Sequence, residues 1–141
     1  MGTSKNLDFT QRGLRLNTPK VPVKIILIED DAAARASFAK MLMEAGHDVI
    51  IADCGKLGLA KLRQYNAEVL VTEVMMAGMD GLEVIKSARS GRPDLWIVSI
   101  SGEGNLVPAN TALTLARAFG ADRILYRPFE KSELLAALER G

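Results

Sequence analysis

Short apolar runs and amphipathic stretches alternate along this chain. Residues 23–28, running from Val23 to Ile28, are β-branched and apolar and read as a first strand. Glu29, Asp30 and Asp31 follow at once, where acids suit a helix start because its unpaired N–H groups favour negative charge. That helix is expected through Met43, with Ala34, Phe38, Met41 and Leu42 as its buried stripe and Gly46 free to close it in a left-handed turn. Residues 47–52 read as a second strand, and residues 55–63 as a short helix packing Leu57, Leu59, Ala60 and Leu62. Residues 69–75 are apolar around Thr72 and Glu73, as in a central strand buried on both faces and ending in a carboxylate.

The second half continues the alternation. A turn over residues 77–81 starts a helix through Arg89, with Asp80 as its cap. Residues 95–100 form a fourth strand ending at Ser101-Gly102, and a polar loop leads to Pro108 and a helix to Phe119. That helix is expected to bury Ala112, Leu115, Ala116 and Phe119, leaving Asn110, Thr111, Leu113, Thr114 and Arg117 outside. Residues 124–126 make a fifth strand, Arg127-Pro128-Phe129 a turn, and residues 130–139 the last helix. Strand and helix periods alternating with short connections call for an α/β, doubly wound parallel sheet with right-handed crossovers and helices on both faces.

Composition narrows the class. A chain of 141 residues holds one domain with a sizeable core, and 48% hydrophobic with 25% charged residues is ordinary for a soluble fold. A net charge of +1 implies no bulk attraction to nucleic acid or membrane. The single cysteine, Cys54, excludes an internal disulfide and fits a reducing, cytoplasmic setting; it reads as a small residue near a helix start. Residues 1–21 read as a polar tail without a secretory or membrane-spanning run, with Leu7, Phe9, Leu14 and Leu16 as side chains able to dock, and residues 22–141 as the domain.

Ligands of open α/β sheets bind beyond the carboxyl ends of the strands. The first strand delivers Glu29 and Asp30 there, the third Glu73, the fourth Ser101 and the fifth Arg127, so one pocket is expected from four strands. The lone His47 reads as an exposed turn residue. Ser99 and Ser101 lack the Gly-x-Ser-x-Gly elbow of a hydrolase, and Met75, Met76 and Met79 read as gap-fillers. An acidic first loop is a poor phosphate cradle, which disfavours flavin binding.

Ile28-Glu29-Asp30-Asp31, Met79-Asp80-Gly81-Leu82, Ser101-Gly102 and Arg127-Pro128-Phe129 together make residues 23–141 resemble the CheY-like receiver domains of bacterial response regulators. The resemblance implies a (βα)5 flavodoxin-like sandwich with strand order 2-1-3-4-5. It implies that an acidic pair, Glu29 and Asp30, holds Mg²⁺ together with the third-strand acid and the Met75 backbone carbonyl. It places Glu73 where an aspartate takes a phosphoryl group from a histidine kinase, Ser101 at the phosphate-bonding hydroxyl, and Arg127 at the pairing lysine. Glu for Asp and Arg for Lys are departures. So are Ile124, where an aromatic switch residue is common, and Met75 and Ala77 after the acceptor.

The expectation is a single-domain, atypical pseudo-receiver in a two-component or phosphorelay setting. It would act through protein contacts without normal aspartyl phosphorylation and without enzymatic activity of its own. The alternative is a working Mg²⁺-dependent phosphoacceptor. The partner surface is expected at Asn110, Thr111, Leu113, Thr114, Arg117 and Ile124. A histidine kinase, phosphotransfer protein or other regulator, or a second copy bound through the fourth helix, fifth strand and fifth helix, would engage it. Direct contact with nucleic acid or membrane is not expected.

Overall fold

Ten elements alternate strictly in a computed structural model that describes residues 21–76, 81–102 and 109–140. They are β1 (Lys24–Ile28), α1 (Ala32–Glu44), β2 (Asp48–Ala52), α2 (Gly55–Gln64), β3 (Val69–Glu73), α3 (Gly81–Gly91), β4 (Trp96–Ser101), α4 (Ala109–Phe119), β5 (Arg123–Tyr126) and α5 (Lys131–Ala137). All strands run parallel in the order β2-β1-β3-β4-β5. The fold class and strand order agree with expectation.

Successive strand side chains point to opposite faces, and the chain uses both for burial. Ile26, Ile28, Leu70 and Ile97 face α2, α3 and α4, where Leu62, Val84, Ile85 and Ala116 meet them. Ile25, Leu27, Val71 and Val98 face α1 and α5, where Phe38, Leu42 and Leu134 close the second core. β3 is buried at every position, including Thr72 and Glu73. Asp31 caps α1 by accepting from the Ala34 N–H at 2.8 Å, and Gly46 ends it at φ 96°.

Three expectations need correcting. In α2, Leu57 is 41% exposed and Ala60 also faces out, while Gly58 and Leu62 turn inward. Gly58 sits against the Ile28 side chain, where a Cβ would collide, so the helix docks by Gly58 together with the expected Leu59 and Leu62, and not by Leu57 and Ala60. In α4, Ala116 is buried, but Leu115 and Phe119 are 39% and 37% exposed instead of inside. That helix packs on α3, β4 and β5 about Ala116, and Leu115 lies about 100° round from it. His47 is half-buried rather than an exposed turn residue, because its Nδ1 accepts the Val23 N–H at 3.1 Å. Residues 1–20 of the expected tail, the turn at residues 77–80 with Asp80 and Met79, and the loop at residues 103–108 lie outside the described residues.

Candidate functional site

Backbone pairing continues one residue past the strand ends and brings the candidate residues to one edge. Glu29 N–H donates to Ala52 O at 3.1 Å, Val74 N–H to Ile100 O at 2.8 Å, and Arg127 N–H to Ser101 O at 2.8 Å. Glu73 itself pairs with Ile100, and Ser101 with Tyr126. Glu29, Glu73 and Ser101 are buried there, Arg127 is half-buried, and Asp30 is exposed.

Glu73 is held from both sides. Its Oε2 accepts the Val74 and Met75 N–H groups at 3.2 and 3.3 Å. Its Oε1 lies 3.0 Å from Arg127 Nη2, a charge contact that misses hydrogen-bond alignment. The guanidinium therefore makes no two-pronged grip on the carboxylate; the backbone has taken the second oxygen. Glu29 Oε2 accepts the Asp31 N–H at 3.0 Å, and Arg35 Nη1 donates to the Glu29 carbonyl at 2.9 Å.

Among the described residues, the buried side-chain polar atoms without a hydrogen-bond partner are Glu29 Oε1, Glu73 Oε1, Ser101 Oγ and Arg127 Nε. All four belong to this edge. Buried unpaired polarity is costly and rare, and its concentration here marks a site whose groups are kept for something other than folding. Burial pushes Glu73 up to about 7, against the pull of Arg127 and with added repulsion from Glu29. Burial also raises Glu29, opposed by the Asp31 N–H and by Arg127.

Two glycines, Gly81 and Gly102, both within the motifs that carry the resemblance, shape the pocket. A Cβ on Gly81 would run into the backbone of Glu73 and Val74, so α3 starts directly against the strand end. A Cβ on Gly102 would stand 2.7 Å from Arg127 Nε and Nη2. The legible signal was a glycine placed immediately after the Ser101 hydroxyl at a strand end.

The Mg²⁺ site implied by the resemblance does not fit this arrangement. Among the described residues no three His, Cys, Asp or Glu side chains group to hold a metal. Mg²⁺ needs near-octahedral oxygens at about 2.0–2.1 Å, whereas a guanidinium already faces one Glu73 oxygen and two N–H groups face the other. The unpaired atoms carry both signs, so the pocket supplies its own countercharge. Of the other candidates, Ser99 is buried inside the sheet, and Cys54 lies half-buried between the carboxyl end of β2 and the start of α2.

On the expected partner surface, Thr111, Thr114 and Arg117 are exposed and Ile124 is half-buried. The side chains of Asn110, Ala112 and Leu113 lie outside those described. Leu115, Phe119 and Tyr126, the last 48% exposed, add apolar area to this surface beyond the expected residues. No helix among the described residues is long and apolar enough to cross a membrane.

Known proteins share this architecture. The chain is 33% identical over 118 residues to the response regulator MprA of Mycolicibacterium vanbaalenii, covering 84% of this chain and 49% of that protein. It is 28% identical over 116 residues to the cell cycle response regulator CtrA of Brucella ovis, covering 82% and 48%. The chain thus spans about half the length of the curated relatives it matches. Among solved structures, a CheY-like receiver domain protein of Methanospirillum hungatei superimposes with TM-score 0.75 at 24% identity, covering 84% of this chain and 91% of that one. The chemotaxis protein CheY4 of Vibrio cholerae does so with TM-score 0.73 at 27% identity, covering 84% and 97%. The response regulator receiver domain model matches residues 25–139, and the chain belongs to that family.

Proposed function

We propose that this receiver domain works as a pseudo-receiver: a two-component signalling module that acts through protein contacts and does not turn over phosphate on an aspartate. The observation that carries the reading is the state of Glu73, which is 1% exposed with one oxygen on two backbone N–H groups and the other against Arg127. Phosphoryl transfer rests on positioning, and a nucleophilic oxygen displaced by about 1 Å can lose roughly a hundredfold. The extra methylene of Glu over Asp moves the carboxylate by roughly 1–1.5 Å. Here the carboxylate is also tethered, so its oxygens are engaged where an attacking oxygen must be free.

Signal would then pass through the α4–β5 surface, where Leu115, Phe119 and Tyr126 are exposed together with Thr111, Thr114 and Arg117. Apolar and aromatic area rimmed by polar groups suits a protein partner. A histidine kinase, a phosphotransfer protein, another regulator or a second copy in the cytoplasm would be such a partner.

The test is to incubate the protein with Mg²⁺ and acetyl phosphate and weigh it. No mass gain is expected in the wild type, and a gain is expected once Glu73→Asp is combined with Arg127→Lys. An acid-labile phosphoryl mass on the wild type, lost in Glu73→Gln, would overturn the proposal in favour of a working phosphoacceptor.

A further inference from the structure

Two of the candidate Mg²⁺ ligands, Glu73 and Glu29, face a cation that belongs to the chain. Arg127 Nη2 lies 3.0 Å from Glu73 Oε1. The same guanidinium acts electrostatically on Glu29. Its position is fixed by the Arg127 N–H bond to Ser101 O at 2.8 Å and by the space above Gly102. A Cβ at residue 102 would stand 2.7 Å from Nε and Nη2 and 2.8 Å from Cζ, so only glycine leaves the guanidinium its seat.

A lysine ammonium is compact and would need less clearance than a planar guanidinium. Gly102 and Arg127 therefore form one device, with Gly102 as the positioning residue. Charge balance adds the reason for it. Buried carboxylates need a countercharge, and a covalently supplied one is present at all times, whereas a divalent ion must be recruited and partly dehydrated.

We propose that the Arg127 guanidinium, seated over Gly102 and against Glu73, is the resident cation of this pocket and takes the place of a divalent ion. The inference rests on the reading of Glu73 as a held carboxylate and names what holds it. It makes the domain's resting state independent of free Mg²⁺.

The test titrates Mg²⁺, and Mn²⁺ as a paramagnetic probe, into the wild type, Gly102→Ala and Arg127→Ala without phosphodonor. The amide signals of Val74 and Met75 report binding. The wild type is expected to show no site-specific change, and both variants to gain metal affinity by about tenfold or more. Gly102→Ala meets only the flexible end of one side chain, so it keeps the question open to measurement even where Arg127→Ala fails to fold. Wild-type binding as tight as that of the variants overturns the inference, and so does an absence of binding in all three proteins. Metal binding by the wild type without a phosphoryl mass gain sinks this inference alone; a mass gain on wild-type Glu73 sinks the pseudo-receiver reading instead.

Discussion

Burial raises Glu73 from 4.5 to about 7, so the folded chain holds a proton that the unfolded chain has already released. Between those values the folded state binds more protons, so the Glu73 contribution to stability is whole below about pH 4.5 and is lost as pH rises through about 7. At about 1.4 kcal/mol per unit, the span is on the order of 3 kcal/mol. Glu29 is shifted the same way and adds to the slope. Urea unfolding across this range should show wild-type stability falling with pH and Glu73→Gln falling less steeply, by the share that Glu73 contributes. Equal slopes would mean that the carboxyl is not buried in solution. His47 acts in the opposite sense. Its value is lowered from 6.5 by burial, and its Nδ1 must stay unprotonated to accept from Val23. Its contribution is whole above about pH 6.5 and is lost as pH falls through the lowered value. His47→Ala should remove that acid-side loss and cost about 1 kcal/mol at neutral pH, the usual worth of one such bond.

The five strands, their order of burial and the acid-rich edge were readable because period-2 apolar runs and their punctuation are local signals. Helix facing was less so, for reasons specific to each helix. α2 buries Leu62 and part of Leu59 as their spacing suggests, but Leu57 stays outside and Gly58 takes the contact with Ile28, which leaves no room for a larger residue. α4 carries more apolar surface than its neighbours cover, and periodicity alone cannot say which part of a wide stripe faces in. At the site, residue types and the shared edge were legible from strand ends. The division of Glu73 between backbone and guanidinium was not, since it depends on how β3, β4 and β5 align. The uncovered part of α4 gives its own prediction. Leu115→Ser with Phe119→Ser should change stability by less than about 1 kcal/mol, because both side chains are already more than a third exposed. Sedimentation or a kinase pull-down should instead show lost association. A large drop in melting temperature with association unchanged would return these residues to the core.

The two ends of the sheet are built to different standards. At the amino end, polar groups are tied off. Arg89 donates to Gly120 O, Pro93 O and Leu95 O and pairs with Asp122 at 2.7 Å. Trp96 Nε1 donates to Ala137 O at 2.9 Å while Arg123 and Arg140 flank its ring at 4.9 and 5.5 Å. Arg140 also donates to Asp94 O and Glu68 O, joining the end of the chain to the entries of β3 and β4. At the carboxyl end sit the Glu29, Glu73, Ser101 and Arg127 atoms that have no hydrogen-bond partner. Stability concentrated at one end lets the other carry unpaired polarity without unfolding. Single substitutions should therefore separate the two. Arg140→Ala should cost about 1 kcal/mol through the lost ring contact and carbonyl bonds, and should shift Trp96 fluorescence. It should leave the Val74 and Met75 amide resonances in place. Gly102→Ala should move those resonances and leave Trp96 fluorescence and melting nearly unchanged, since the added methyl displaces only a side-chain end. Were Arg140→Ala to disturb Val74 as much as Gly102→Ala does, the two edges would be one cooperative unit, and a locked carboxyl edge could not be tuned without loosening the fold.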